Sequence, residues 1–344
     1  MKFLTAKSHN VTRAFSYINW HELSLKVTMP NDLGELTYTQ AKAKSPIIAA
    51  TDAPDKQKET ILQHDNFTLL RLDLDDTDLD IDSIADTLEG MGIESYIIHT
   101  TASHQQDGKG ERYRVYIELA VSFTYKVWAL VESYLSYVFM ADDCATRPQQ
   151  IMYLPVRFDG DCYEYKIGKG EPLNVTNSQI LTDAKAFEVE QAKQQAEQLE
   201  AAKTAPIKPT YKQNLVGKQI SIINLVNNAY SWHELLLNYG YKMQGKAYLP
   251  PEATSKSAGV YILTSHTDGK ERYYSHHESD PCATGQCLDM FDFIAIREYS
   301  GDYKRALKDI AQTHFKAIHK HNQQEYFTHL HNESVNKFFA GGEK

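Results

Sequence analysis

LLRLDLDD, residues 69–76, alternates apolar Leu70, Leu72 and Leu74 with polar Arg71, Asp73 and Asp75. Side chains two apart in a strand share a face, so the pattern predicts a buried β-strand that projects Asp73 and Asp75 side by side. Two carboxylates held edge to edge repel each other, and they lose hydration where the face is covered. A divalent cation relieves both costs, and hard oxygen ligands suit Mg2+ or Mn2+. The competing reading is an acidic turn, in which Asp75-Asp76-Thr77-Asp78 caps the helix that follows.

Downstream, YIIHTT (96–101) is β-branched and aromatic and predicts a second strand, with Ser103 and His104 at its end. After a Gly-containing loop, Arg112, Arg114 and Tyr116 alternate with Tyr113, Val115 and Ile117, a hairpin with a basic face and Lys109 at its entrance. A histidine with two guanidinium groups suits phosphate, because arginine forks match phosphate oxygens in pairs. The alternatives are a loop-capping histidine and a solvated strand face. Acidic and basic clusters on consecutive strands nevertheless match the division of labour in metal-assisted phosphoryl transfer. A third piece, Tyr137–Asp143, is an apolar run, YVFMA, that ends in Asp142-Asp143. A third carboxylate at another strand end would complete a two-metal site.

The order DxD, then a strand ending in SH with a downstream RxR, then an apolar strand ending in Asp and followed by QQIMYLP, resembles the archaeo-eukaryotic primase superfamily. It is most similar to the primase-polymerases of plasmids, phages and integrated elements, over roughly residues 10 to 175. The resemblance implies metal ligands at Asp73, Asp75 and Asp143, with Asp142 as the neighbour that could displace Asp143. It implies phosphate contact by His104, and an RNA-recognition-motif-like catalytic core. In one respect the chain departs from the family, which has Ser two places before the histidine; here that place is Ala102, with Ser103 adjacent.

The remaining sequence frames this core. The residues around Phe15–Trp20 are apolar, Trp20-His21-Glu22-Leu23 looks like a helix start, and nothing before residue 66 looks like chemistry. Ile84, Leu88 and Met91 fall at helical spacing, as do Val127, Leu130, Val131, Tyr134 and Leu135 within 122–137. The order βαβ-β-αβ predicts an α+β domain, a mostly antiparallel sheet with helices on one face. Arg147 and Arg157 flank the third motif as possible template contacts or plain surface arginines. From Thr182 to Ala202 the composition turns to Ala, Gln, Glu and Lys, a helical spacer closed by the prolines of TAPIKPTYK. The expected division is a catalytic domain over 1–178, a linker over 179–213, an accessory domain over 214–315 and a helical tail over 316–344.

In the accessory region GVYIL and ERYYS predict a hairpin around His266-Thr267-Asp268-Gly269-Lys270, followed by helices over 288–299 and 303–312. This resembles the zinc-ribbon domain of bacterial replicative primases, here in a degenerate form. Leu249-Pro250-Pro251 stands where that family has ligands, leaving His276-His277 and Cys282-x4-Cys287. That spacing is looser than paired CxxC and argues against zinc. A metal-free ribbon would be held by Tyr261, Leu263, Tyr273, Phe291 and Phe293. Lys256, Lys270 and Arg272, with exposed aromatics, are candidate contacts to a single-stranded template. The histidines of the tail (His314, His319, His321, His329 and His331) are scattered, which favours a solvated helix over a metal tract.

The 344 residues, 42% hydrophobic and 24% charged, suit a globular chain with more than one core. Four cysteines are too few for a disulfide framework. No apolar run nears the roughly 18–20 residues that span a bilayer, and MKFLTAKSHN has no secretory core, so a cytoplasmic protein with no membrane partner is expected. The net charge of −9 argues against tight non-specific coating of duplex DNA by this chain alone. The leading expectation is a nucleotidyltransferase: a DNA primase or primase-polymerase of a mobile element, copying single-stranded DNA from NTP or dNTP with Mg2+ or Mn2+. With no GxxxxGK[ST] motif in the chain, a separate replicative helicase would be its partner. A non-catalytic replication initiator or accessory subunit is the alternative, and a metal-dependent nuclease a third reading.

Overall fold

The computed structural model describes residues 1–254, 257–265 and 267–340. The chain divides into two compact units, Met1–Ala192 and Lys193–Lys344. In the first, β1 (Lys2–Ala6), β2 (Ser16–Asn19) and α1 (Trp20–Thr28) are followed by β3 (Asn31–Asp32), α2 (Tyr38–Lys44), β4 (Ile47–Ile48) and α3 (Lys58–His64). Next come β5 (Phe67–Thr77), α4 (Ile81–Gly90), β6 (Ser95–Thr100), β7 (Glu111–Phe123) and α5 (Tyr125–Val138). The unit continues through β8 (Met152–Tyr153), β9 (Val156–Arg157), β10 (Tyr165–Lys169) and the start of α6 (Gln179–Thr204). One sheet has the order β10-β6-β7-β5 and a second β2-β1-β4-β8, with antiparallel pairings in both. The architecture is α+β.

The alternation in β5 has the predicted consequence. Leu70, Leu72 and Leu74 are at most 1% exposed and join Ile98, Val115, Ile117, Ile84 and Leu88 in the core. Each such leucine contributes roughly 1.5–3 kcal/mol by leaving water. The acidic residues after it do not cap the next helix, because β5 runs on to Thr77 and Asp80 is the residue that accepts the Ser83 N–H of α4, at 2.7 Å. Helix α1 opens on a capping box: the Asn19 side chain accepts the Glu22 N–H at 2.9 Å, and the Glu22 carboxylate accepts the Asn19 N–H at 2.8 Å. Asn19→Ala should cost about 1 kcal/mol, read as roughly 2–4 °C in the thermal melt of the full chain.

β5 is an edge strand, yet outward backbone groups of Leu69, Arg71 and Asp73 find partners outside the sheet. Trp128 Nε1 donates to the Leu69 carbonyl at 2.9 Å, Glu132 accepts the Arg71 N–H at 3.2 Å, and the Asp142 N–H donates to the Asp73 carbonyl at 2.9 Å. Helix α5 and the turn after it therefore stand where another strand would otherwise pair. This corrects the reading of the third motif. YVFMA is not a strand: it is the last turn of α5 and a tight bend in which Met140 has φ 51°, followed by a 3-10 turn at Asp143–Thr146. Leu135 and Phe139 continue the buried helical stripe begun at Trp128 and Val131, and a five-residue apolar run cannot by itself tell strand from helix end.

The second unit holds α7 (Ile222–Ala229), α8 (Trp232–Asn238), β11 (Lys242–Gln244), β12 (Ala247–Leu249), β13 (Val260–Thr264), β14 (Glu271–Ser275), α9 (Met290–Tyr299), α10 (Tyr303–Thr313) and α11 (Lys316–Ala340). The four strands form one sheet in chain order, in which β13 and β14 are the predicted hairpin. Tyr273, Phe291 and Phe293 enter the core with Trp232 and Leu236, but Tyr261 and Leu263 pack apart from it, against Ala202 and Ala247. Lys256 and His266 lie outside the described residues. Arg272 is not an exposed contact: it is 8% exposed and ion-paired to Asp268 at 2.8 Å. His276 Nε2 bonds the Gln198 carbonyl at 2.7 Å, Cys282 Sγ faces the Phe293 carbonyl at 4.0 Å, and Cys287 Sγ faces the Ala205 carbonyl at 3.7 Å. No helix among the described residues is long and apolar enough to cross a membrane.

Candidate active site

Strand register sets the charged residues in rows. Asp73 pairs with Arg114 across β5–β7, and Arg114 with His99 across β7–β6. The next row pairs Asp75 with Arg112, and the row on the other side pairs Arg71 with Tyr116. Directly paired residues share a face. The same alternation that packs Leu72, Val115 and Ile98 into the core therefore collects the charges on the opposite side.

Each acid there has a cation. Arg114 Nε lies 3.2 Å from Asp73 Oδ1, and Arg114 Nη1 donates to the Tyr153 carbonyl at 2.7 Å. Arg112 Nη1 lies 2.9 Å from Asp75 Oδ1, and its other terminal nitrogen pairs with Asp76. Burial, then the neighbouring Asp73, pushes the Asp75 carboxyl up, while Arg112, Arg114 and Lys42 pull it back. Buried polar atoms outside any hydrogen bond gather on this face: Arg112 Nε, Tyr116 Oη, His99 Nε2 and two nitrogens of Arg71, with Asp73 Oδ1 and Arg114 Nε meeting only as an ion pair. An unsatisfied buried polar atom costs about 1–3 kcal/mol, so such a concentration suits a surface that a polar ligand or ion completes.

His99 and Lys42 belong to the site and were not singled out in the sequence. His99 is fully buried, and burial reinforced by the Arg114 guanidinium pulls its pKa down to about 3, which leaves the imidazole neutral. Its Nδ1 lies 2.8 Å from the Thr100 carbonyl, which can only accept, so Nδ1 carries the proton and Nε2 presents a lone pair. Lys42, on α2, sits over the Tyr153 ring at 5.5 Å and lines one pocket with His99, Ser103, Arg114 and Tyr153. For His99 the sequence offered only its place near the end of the strand pattern YIIHTT, since its facing of Arg114 is set by strand order. Lys42 gave no signal, because only the tertiary fold brings α2 across the sheet.

The other predicted residues divide. His104 is 3% exposed; its Nδ1 accepts the Arg112 N–H at 3.1 Å and its Nε2 lies 3.5 Å from Glu111, the loop-capping arrangement. Lys109 turns to Tyr38, its Nζ 3.1 Å from the hydroxyl. Arg157 grips Asp161 through two nitrogens at 2.7 and 3.0 Å. Arg147 is exposed, and its carbonyl, with that of Ala145, accepts from Arg71 Nη2 at 3.4 and 3.3 Å. Those bonds, with the Asp142-to-Asp73 backbone bond, fasten the turn that carries Asp143 to β5.

The donor set fits a hard cation. Asp73 offers a buried Oδ1 that meets Arg114 Nε as an ion pair without an aligned hydrogen bond, and Asp75 is crowded by a like charge that a cation would offset. Asp143 is exposed, and its turn gathers Asp142, Asp143 and Cys144 with ligand atoms within 4.8 Å of one another; Asp73 and Asp75 are not in that group.

No protein-family model matches the chain, and no curated protein matches it in sequence. Solved structures to which it is similar include the AEP domain of the cyanophage S-2L primase-polymerase, at 14% identity and a TM-score of 0.33, covering 53% of this chain and 86% of that one. They also include primase RepB′, at 12% identity and a TM-score of 0.32, covering 58% of this chain and 61% of that one. The catalytic domain of primase RepB′ in complex with initiator DNA is similar at 12% identity and a TM-score of 0.33, covering 56% of this chain and 89% of that one. Likeness this loose transfers no residue role, so the reading of the site rests on its own side chains.

Proposed function

We propose that the first unit is a template-directed nucleotidyltransferase, a DNA primase or primase-polymerase of a mobile element, and that the second is its accessory domain. The observation that carries this reading is the register: Asp73 opposite Arg114 and Asp75 opposite Arg112 on one face of one sheet. Metal-assisted transfer from a nucleoside triphosphate needs carboxylates for the cation and guanidinium groups for the phosphates, side by side. Asp73 and Asp75, with Asp143 from the fastened turn, would hold Mg2+ or Mn2+. Bound there, the ions would supply Lewis-acid stabilisation of the phosphoryl oxygens.

The protein's own part is exchange of charge partners. In the ligand-free face each aspartate neutralises an arginine, so neither charge stands unpaired. With a cation held by the carboxylates, Arg112 and Arg114 would be free to fork the triphosphate. Arg114 is anchored by its bond to the Tyr153 carbonyl, and Lys42 adds a second positive charge beside it. The chemistry is positioning and electrostatic stabilisation, with no protein nucleophile. Arg114→Lys keeps the charge but loses the fork, and kcat/KM for nucleotide should fall about 10–100-fold.

The experiment is primer-free synthesis on single-stranded DNA with labelled NTPs or dNTPs and Mg2+ or Mn2+. Product supports the enzyme reading. One observation favours the second reading, a non-catalytic initiator or accessory subunit: both aspartates are already ion-paired with arginines. Nucleotide binding without polymer formation would select it.

A further inference from the structure

The second unit contains a groove of about 530 Å3 between α10, α11 and the segment 211–222. Its cations come from two sides, Lys304 and Lys308 on α10 and Lys212 on the facing segment. No carboxylate from the described residues lines it, although the chain as a whole carries a net charge of −9. At its margin Tyr326 and Phe327 of α11 are 47% and 66% exposed. The groove is a built feature of the fold. Asn322 of α11 bonds the Ile220 backbone at both N–H and carbonyl, each at 2.8 Å, and Glu325 accepts the Lys218 N–H at 2.9 Å.

We infer that this groove is a binding site for single-stranded nucleic acid. A local cation set within an acidic chain focuses a positive potential where a polyanion can lie. Lys304 and Lys308 are one helical turn apart, a rise of about 6 Å, which is the order of the spacing between neighbouring phosphates of an extended strand. Exposed aromatic faces beside a basic track are what single-strand binders use, because every base has a π-face to stack. An acidic peptide would use the lysines but leave the rings of Tyr326 and Phe327 without partners. The surface differs from the ribbon contacts expected from sequence, since Arg272 is buried against Asp268. It does not depend on the catalytic reading of the first unit.

The test is fluorescence anisotropy of a labelled oligo-dT 20-mer with the full chain. Lys304→Glu/Lys308→Glu and Tyr326→Ala/Phe327→Ala should each weaken binding about tenfold or more. The lysine pair should also flatten the slope of log affinity against log salt by roughly 1.4, about 0.7 for each phosphate that is no longer neutralised. Lys242→Glu/Lys246→Glu makes the same charge change on the exposed β11–β12 hairpin, whose residues do not line the groove, and should bind within about twofold of wild type. Wild-type affinity in both groove variants, or an equal loss in the Lys242/Lys246 control, overturns the proposal. So does displacement of the oligonucleotide by polyglutamate at matched charge, which would mark the groove as a protein-docking site. Because the readout is binding, failure here is distinguishable from failure of the catalytic proposal: a chain that synthesises product but binds strands independently of the groove refutes only this inference.

Discussion

Asp73→Asn should reduce nucleotide incorporation on single-stranded DNA by on the order of 1,000-fold or more, with the fold unchanged. The magnitude follows from losing several kcal/mol of transition-state stabilisation, at tenfold for each 1.36 kcal/mol, when a carboxylate ligand becomes a neutral amide. Asparagine keeps the volume and an oxygen facing Arg114 Nε, so the 3.2 Å contact survives as a neutral one and the strand is not disturbed. Asp73 ends the row in which Arg114 stands between it and His99, and its backbone carbonyl holds the turn of Asp143, so the backbone contribution is retained while the charge is removed. Asp82→Asn is the matched control. It removes one carboxylate from an exposed pair with Lys166, at 2.7 Å, and should synthesise as wild type. Incorporation above about a tenth of wild type in Asp73→Asn would refute the assignment of the site, since uniform binding losses of that size need no metal ligand. Circular dichroism and the thermal midpoint of both variants establish that folding is not the variable.

Legibility followed the length over which each signal is carried. The LLRLDLDD alternation is local, so strand β5, its buried leucines and the shared face of Asp73 and Asp75 could be read directly, as could the basic face of β7. The order of the strands across the sheet is set by non-local pairing, and only that order puts His99 beside Arg114. His104 stood in a recognisable pattern, but whether a histidine faces a ligand or its own loop depends on where the Arg112 N–H points, which no side-chain spacing encodes. YVFMA failed as a strand because its apolar residues serve α5, whose role is to close the edge of β5. In the second unit Arg272 carried the right charge and the wrong exposure, because Asp268, four residues away, draws it back across its own turn.

Glu132→Ala and Glu132→Gln should part sharply, and the gap between them reports the protonation state of a buried acid. Glu132 is fully buried on α5, one turn after Trp128, and both its oxygens face the Arg71 N–H, at 3.2 and 3.3 Å. Arg71 is itself fully buried. Its guanidinium lies over the Trp128 ring at 5.7 Å and donates to the Ala145 and Arg147 carbonyls. Burial pushes the Glu132 carboxyl well up, with Arg71 only partly opposing, and burial also lowers Arg71. A folded-state pKa raised above the unfolded value means that the fold prefers the protonated acid. Stability is therefore fully present below about pH 4.5 and declines as pH rises toward the raised pKa. Glutamine keeps an oxygen to accept the Arg71 N–H and has no proton to lose, so Glu132→Gln should match or exceed wild type at pH 7 and lack that decline. Alanine leaves the buried edge N–H of β5 without its acceptor. Its cost should be about 3–5 kcal/mol, from the unsatisfied buried N–H together with the cavity the side chain leaves, a drop on the order of 10 °C for a unit of this size. Thermal melts of the full chain at several pH values separate the cases. Equal destabilisation of both variants at pH 7 would show that an ionised Glu132 is needed against Arg71. The turn that carries Asp143 would then be held to β5 by a charge pair, which the melts would show as stability rising with pH in the wild type alone.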